Sequence, residues 1–361
     1  MKIAELCPYS LSVPGGVQRQ VLLLARTMRQ LGHEVDVIAP SESTPEIEFF
    51  RNLGSSVRVP ANGSRAPVGL SPGALTRTAR FVRGGGYQII HIHEPFAPGP
   101  SLVGLLAGKS PLVGTFHRQG LSTPYKGLGR VISRFGERLS VRFAVSHDAM
   151  ITAKTVFGGD YRVIGNGVDL HEFDVANAWP KQSPTVFFIG RHEHRKGLEV
   201  LIRAFMGIAE PDLTCWVAGS GPETARLKAV AARDSRIVWL GRISDSEVIS
   251  RMKAADVVCA PSLYGESFGV VLLEGMAAGS VVVATDIVGY SGLARNGVEA
   301  ILVPPNDASL LRGALMRALA SDDVSRSIRE NARKRAFEFS IENIAKIYLA
   351  SFTTLISEKS P

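Results

Sequence analysis

One short basic turn carries the clearest chemistry in the sequence. In Gly190-Arg191-His192-Glu193-His194-Arg195-Lys196-Gly197, Arg191 and Lys196 fall between an apolar run that reads as a strand and a periodic run that reads as a helix. That position is the carboxyl edge of a parallel sheet, where ligands bind in open α/β proteins. One guanidinium and one ammonium there can clamp a pyrophosphate as it departs with extra negative charge. Each close cation–phosphate pair contributes roughly 4 kcal/mol at an effective dielectric of about 20. The plainer reading is a solvated basic loop, with His192 and His194 as exposed loop histidines rather than metal ligands.

Two carboxylates follow. Gly265-Glu266-Ser267-Phe268-Gly269 precedes Glu274 and Gly275-Met276-Ala277-Ala278-Gly279. Glu266 is expected in the loop before a helix and Glu274 inside it; their spacing, near two helical turns, puts both on one side. Carboxylates so placed accept hydrogen bonds from sugar and ribose hydroxyls. Glu274 follows Val270-Val271-Leu272-Leu273 directly, so it needs a polar partner. Near the amino terminus, Gly15 and Gly16 in Pro14–Gln18 open a helix whose first amides and dipole suit a diphosphate; an ordinary glycine turn is the alternative. His93 and His117 each end an apolar run, either as structural groups or as groups bordering the site. The stretch Pro72–Gly84 reads as a helix with Leu75, Ala79 and Val82 on one face, Arg77 and Arg80 opposite and Arg83 on the flank. It suits an anionic membrane surface, or is an ordinary surface helix. No Asp-x-Asp pair, phosphate-binding G-x-x-x-x-G-K-[ST] loop or HExxH motif occurs, so no metal site is signalled.

These residues need two sets of alternating strands and helices to position them. Ile3–Cys7, Val35–Ala39, Gln88–His93, Leu112–Phe116 and Phe143–Ser146 read as strands. Val17–Leu31 reads as a helix with Val21, Leu24, Ala25, Met28 and Leu31 on one side. The second set is Val186–Gly190, Leu213–Ala218, Ile237–Leu240, Val257–Ala260, Val281–Ala284 and Ala300–Val303. Among its helices, Ser244–Ala255 opens with Ser244 and Glu247 spaced as a capping box. The pattern predicts two parallel-sheet α/β domains, residues 1–168 and 169–340, with the terminal helix 341–361 assigned to the first. The linker Gly165-Asn166-Gly167-Val168-Asp169 reads as a flexible or left-handed hinge.

Composition fits this architecture, with 45% apolar and 20% charged residues, which excludes a disordered chain. Cys7, Cys215 and Cys259 form no paired motif and read as buried reduced thiols. No signal peptide or spanning segment is visible, so a cytoplasmic location is expected. The net charge of +8 is lopsided: residues 1–170 hold 19 Lys+Arg against 11 Asp+Glu, and residues 171–361 hold 22 against 22. An anionic partner for the first half follows. Aromatic residues are scarce near the basic helix, which favours a membrane surface over single-stranded nucleic acid.

Taken together, these motifs resemble the retaining family 4 glycosyltransferases, and within them the actinobacterial branch that acts on phosphatidyl-myo-inositol. The resemblance covers nearly the whole chain. It rests on Cys7-Pro8-Tyr9-Ser10 with Val13–Gln18, His91–Pro95, Gly114–His117, Asn166–Asp169, Gly190–Gly197 and Gly265–Gly279. It implies a GT-B fold, two Rossmann-like domains facing across a cleft, and transfer of mannose from GDP-mannose to phosphatidyl-myo-inositol at the inner membrane face. It implies that Gly15, Gly16, Arg191 and Lys196 meet the diphosphate, Glu266 the donor sugar, Glu274 the ribose, and Ile243 and Asp245 the guanine. His117 matches a position near the transferred sugar, and Tyr9, Gln18 and Arg195 match acceptor-side positions. No tightly bound cofactor is implied, with Mg2+ at most loosely associated with the diphosphate, and a monomer is expected. Ser12 departs from an Asp of the relatives, Arg118-Gln119 from a small polar pair, and Val248 from a base-holding Lys. Other readings are a family 4 enzyme using a UDP-sugar and a different acceptor, a two-domain sugar-nucleotide epimerase, and a non-catalytic membrane-associated nucleotide-binding protein.

Overall fold

The computed structural model describes every residue except 14, 44–46, 62–63, 121–133, 321–322 and 359–361. Pro14 of the glycine turn therefore lies outside the described residues. The chain forms two units, Met1–Gly167 with Ile341–Pro361, and Val168–Ser340.

Among the described residues of the first unit, seven parallel strands form one sheet and two more form a small antiparallel pair. In chain order they are β1 (Lys2–Leu6), β2 (Glu34–Ala39), β3 (Phe50–Asn52), β4 (Val57–Ala61), β5 (Ser64–Val68), β6 (Ile89–His93), β7 (Leu112–Phe116), β8 (Leu139–Ala144) and β9 (Arg162–Val163). The main sheet runs β3-β2-β1-β6-β7-β8-β9, and β4 pairs with β5. The order reverses beside β1, which pairs with both β2 and β6. Such a reversal opens a crevice at the carboxyl ends of the strands. Apolar runs explain the central strands: β1, β6 and β7 are buried almost end to end. Four strands escaped the sequence reading. β3 and β9 span only three and two residues, and the β4–β5 hairpin contains Pro60 and Pro67, which argue against a strand on composition alone. β8 begins four residues earlier than predicted, where exposed Ser140 and half-buried Arg142 hide its alternation.

The first helix, Gly16–Gln30, buries Val21, Leu24, Ala25 and Met28 at the spacing of one face. Leu31 does not share that face; it is the C-cap residue and is exposed. The terminal helix, Ile341–Ser357, belongs to this unit and buries Ile344, Ala345, Tyr348, Leu349, Phe352 and Leu355. It packs against the first helix.

The basic helix runs Pro72–Gly84, capped by Ser71, whose hydroxyl accepts from Ala74 N–H at 3.1 Å. Its buried stripe is Ala74, Thr78 and Val82, with Leu75 and Ala79 only half-buried, so the apolar face is turned from the predicted one.

Where the chain leaves this unit, Gly165 and Gly167 do not take the left-handed conformation, one of the two forms the sequence allowed. Gly167 is needed for another reason: a Cβ there would lie 2.6 Å from Ile341 Cδ1 and 2.9 Å from Ile341 Cα. Gln20 grips the same residue from both sides. Its Oε1 accepts from Gly167 N–H and its Nε2 donates to Gly167 C=O, each at 2.8 Å.

The second unit holds six parallel strands, β10 (Thr185–Ile189), β11 (Thr214–Ala218), β12 (Ile237–Gly241), β13 (Val257–Ala260), β14 (Val281–Thr285) and β15 (Ile301–Val303). Their order is β12-β11-β10-β13-β14-β15, reversing beside β10. One face of the sheet packs its Val186, Phe188, Cys215, Val217, Val257, Cys259 and Val283 against helix Leu198–Met206, through Leu201 and Phe205, and against helix Ala308–Leu319, through Leu311 and Leu315. All three cysteines are buried and free. The helix Asp245–Ala254 is capped as predicted by Ser244, whose hydroxyl accepts from Glu247 N–H at 3.2 Å. The Glu247 carboxylate turns instead to Arg251, 2.8 Å away. Among the described residues, no helix is long and apolar enough to cross a membrane.

Candidate active site

At the carboxyl end of β10 the chain turns through Gly190–Lys196, with a single 3-10 turn at His194–Lys196, before helix Leu198–Met206. Gly197 makes this turn feasible. Its φ is +66°, and a Cβ would fall 1.9 Å from the carbonyl of Pro261, which follows β13. The basic turn is thereby pressed against the loop that carries Glu266, the two loops flanking the point where strand order reverses.

The result is one connected set of charges. Lys196 Nζ lies 2.6 Å from Glu266 Oε1, and Arg195 Nη1 lies 3.1 Å from the same oxygen. Glu193 bridges Arg195 and Arg191 through its two oxygens, each at 3.0 Å. Three cations face two carboxylates, leaving one net positive charge. Ser262 Oγ also donates to Glu266 Oε1, at 3.2 Å. All three bonds fall on Oε1, so Oε2 has no hydrogen-bond partner among the described residues. Lys196, Arg195 and Glu266 are largely withdrawn from water, whereas Arg191 is half-exposed. The solvated-loop alternative therefore fails for Lys196 and Arg195. Beneath them, burial and then the Glu266 charge push the Tyr290 phenol well above its ordinary range, so it stays neutral.

His194 is exposed as expected, but His192 is buried; its Nδ1 lies 2.8 Å from Thr224 Oγ1. Glu274 is also buried, inside helix Val270–Ala278. Glu266 lies before that helix, beyond Gly269, whose φ of +92° breaks the helical path, so helical periodicity does not relate the two acids. Half-buried Ile243 and exposed Asp245 flank the Ser244 cap beyond the carboxyl end of β12. Val248 turns into the core.

In the first unit the histidines at the strand ends form a buried network. Glu5 on β1 receives His91 Nδ1 at 2.9 Å and His93 Nε2 at 2.7 Å. His93 Nδ1 meets His117 Nε2 at 2.9 Å, and His91 Nε2 meets Thr115 Oγ1 at 2.7 Å. Thr115 in turn contacts the Tyr348 hydroxyl of the terminal helix at 3.1 Å. Burial by itself would raise the Glu5 carboxyl, but the two histidines outweigh it and hold the group at about 2. Burial, then the neighbouring His91, lowers His93 to about 4, and burial lowers His117 well below the usual imidazole range. Glu94 sits at a φ of +50° and accepts the His117 backbone N–H at 2.6 Å; burial raises its carboxyl. Glu5, His91 and His93 are close enough together to share a metal ion. Every ring nitrogen of the pair already has a hydrogen-bond partner, which the geometry satisfies without an ion.

The remaining first-unit residues take humbler positions. Gly15 is the N-cap of the first helix and Gly16 its first residue. No side chain caps this end, so its amides remain as donors. Gln18 is buried and donates to Ser10 C=O at 3.3 Å and Val13 C=O at 3.1 Å, bracing the turn that precedes Gly15. Tyr9 bridges to Val68 of the small hairpin. Ser12 Oγ bonds Ser41 Oγ at 2.7 Å and accepts from Glu42 N–H at 3.0 Å. In the basic helix, Arg77 is not free for a membrane: its guanidinium holds the Leu53 carbonyl, with Nε at 2.9 Å. Arg80 and Arg83 are exposed, and Arg83 Nε reaches Ala107 C=O at 3.4 Å. Sequence reasoning missed Glu5, Gln20 and Glu193, whose partners arrive from other segments or whose acidity in a basic motif read as incidental.

Two parallel sheets, each with its polar residues at a strand-order reversal, define a two-domain Rossmann-like α/β architecture. The glycosyltransferase of Rickettsia africae ESF-5 superimposes with a TM-score of 0.77 at 21% identity, covering 99% of each chain, and places the fold as GT-B with two Rossmann-like halves. Residues 14–172 match the family model for Glycosyltransferase Family 4, and residues 171–335 that for Glycosyl transferases group 1. The phosphatidyl-myo-inositol mannosyltransferase of Mycolicibacterium smegmatis is 35% identical over 347 residues, spanning 94% of this chain and 90% of that protein. The protein of the same name from Mycobacterium tuberculosis H37Rv is 36% identical over 368 residues, spanning 96% of each. The chain belongs to the family 4 glycosyltransferases and is a hexosyltransferase.

Proposed function

We propose that this enzyme transfers mannose from GDP-mannose to phosphatidyl-myo-inositol, with retention, on the inner face of the cell membrane. The joining of Lys196, Arg195 and Glu266 at one strand-order reversal is the observation that carries the reading. The names of the relatives in Mycolicibacterium and Mycobacterium support the donor sugar and the acceptor.

In this reading Arg191 and Lys196 receive the donor diphosphate, and their charge stabilises the negative charge that develops as it leaves. Their resting partners, Glu193 and Glu266, keep them placed before the donor arrives. Glu266 Oε2, with its open lone pairs, accepts a hydroxyl of the mannose. Glu274 takes the ribose, and Ile243 and Asp245 the guanine. Gly15 and Gly16 add the amides of the first helix to the diphosphate, His117 meets the transferred sugar, and Tyr9, Gln18 and Arg195 serve the acceptor side. The C1–O bond to the β-phosphate breaks as an inositol hydroxyl bonds to C1 on the same face. The hydroxyl proton passes to the departing phosphate oxygen. No tightly bound cofactor enters this chemistry; Mg2+ would accompany the diphosphate loosely. The enzyme acts as a monomer.

The test is incubation with GDP-mannose, UDP-glucose or UDP-N-acetylglucosamine and vesicles with or without phosphatidylinositol, read by mass spectrometry of the lipid. One hexose is expected on phosphatidylinositol from GDP-mannose alone, and NMR of the product should give the α-anomer. Transfer from a UDP-sugar, or to another acceptor only, replaces this reading with another family 4 activity.

A further inference from the structure

The buried Glu5 network fixes where each proton sits. Glu5 is completely buried and accepts from His91 Nδ1 and His93 Nε2, so each of those nitrogens carries a proton. In a neutral imidazole the other nitrogen is then an acceptor. His91 Nε2 accepts the Thr115 hydroxyl at 2.7 Å, and Thr115 accepts the Tyr348 hydroxyl at 3.1 Å. His93 Nδ1 must likewise accept, and the group facing it at 2.9 Å is His117 Nε2. Each proton is used once and no two donors face each other. His117 Nδ1 remains, with no hydrogen-bond partner among the described residues. Of the three rings His117 has the most exposure, 9% against 0% for His91 and 2% for His93.

We infer that Glu5 acts through His93 to hold His117 as its Nε2–H tautomer, so that His117 offers an unprotonated Nδ1 to a substrate hydroxyl and not an N–H to a phosphate oxygen. An acceptor nitrogen pairs with a sugar hydroxyl and repels an anionic oxygen, so the network selects which part of the donor the ring can meet. The opposite arrangement needs His93 as an imidazolium, donating to His117 Nε2. The Glu5 carboxylate at 2.7 Å favours that charge, but burial between two other imidazoles, with ring centroids at 4.4 Å and 5.1 Å, outweighs it. The lowered His93 value agrees. Glu5 is a positioning residue: it reaches the sugar only through two rings. This rests on the reading that His117 meets the transferred sugar.

The experiment is long-range 1H–15N spectroscopy of the full chain labelled at histidine, near pH 7, with His117 assigned by the signals lost in His117→Gln. Nε2–H forms are expected for His93 and His117. An Nδ1–H His117, or an imidazolium at His93, overturns the inference. Glu5→Leu supplies a second arm. Both histidines reach Glu5 Oε2, His91 Nδ1 at 2.9 Å and His93 Nε2 at 2.7 Å, so a glutamine oxygen in that place still accepts from both, whereas leucine accepts from neither. Nothing then keeps the His93 proton on Nε2, and His117 should lose its single Nε2–H form, with turnover reduced roughly tenfold and GDP affinity unchanged. An unchanged His117 tautomer in Glu5→Leu overturns the role of Glu5. The tautomers are read without donor or acceptor, so failure of the mannose reading leaves this result standing, and the reverse.

Discussion

Lys196 and Glu266 are separated by 70 residues in sequence and 2.6 Å in space. A lysine held this way is placed before substrate arrives, and little reorganisation remains for the reaction itself. Lys196→Ala should lower kcat by about 100- to 1000-fold, the effect of removing one preorganised charge contact in a transition state. The melting temperature should change little, because the pair sits at a sheet edge and not in the core. Steady-state kinetics with an unchanged melting curve checks this; near-normal turnover would remove the clamp. These residues were legible because strand-to-helix boundaries can be read from apolar runs, and charges at such boundaries collect at one sheet edge. Glu5 was not legible. Its two histidines lie 86 and 88 residues away, and no local pattern distinguishes it from a strand residue facing solvent.

Among the elements, strands made of continuous apolar residues were readable to within a residue or two at most ends. What defeated the reading was structure built on backbone geometry or distant partners: the Pro-containing hairpin, the two- and three-residue strands, and a linker glycine chosen for the closeness of Ile341 and not for its φ. The basic helix shows how one element can mix roles that look alike in sequence. Arg77 bonds Leu53 C=O at 2.9 Å, whereas Arg80 and Arg83 are exposed and Arg83 reaches Ala107 C=O only at 3.4 Å. Arg77→Ser should therefore destabilise the fold by about 1–2 kcal/mol, through the lost charge-assisted hydrogen bond, seen as a lower denaturant midpoint. Arg80→Ser with Arg83→Ser should leave stability within about 0.5 kcal/mol. The pair should nevertheless weaken sedimentation with anionic vesicles by roughly 30-fold, at about 1 kcal/mol per lost cation. Unchanged vesicle binding by the double variant would assign the helix to the fold alone.

At the scale of the whole molecule, the two units carry different titrating groups and different reporters. All three tryptophans, Trp179, Trp216 and Trp239, lie in the second unit, so their fluorescence follows that unit alone. The first unit holds Glu5, His93, Glu94 and His117 in its interior. His93 has a folded value of about 4 against an ordinary 6.5, and His117 is lowered as well. Between those pH values the unfolded chain binds two protons that the folded unit refuses, so stability is full above 6.5 and falls as the pH drops towards 4. Glu94 has the opposite sign: its raised carboxyl makes the folded state bind a proton earlier, which offsets one of the two. Below 4.5 Glu5 adds to the loss, which is complete only as the pH passes its folded value of about 2. One to two net protons correspond to about 1.4–2.7 kcal/mol per pH unit at most. Calorimetry from pH 7.5 to 4.5 should therefore show one transition moving steeply down. The transition reported by tryptophan should move less, since the buried histidine of the second unit is only one, His192, with a smaller downward shift. If the tryptophan-silent transition stayed fixed or rose on acidification, the interior histidines would be charged, and the proton assignment around Glu5 would fall with them.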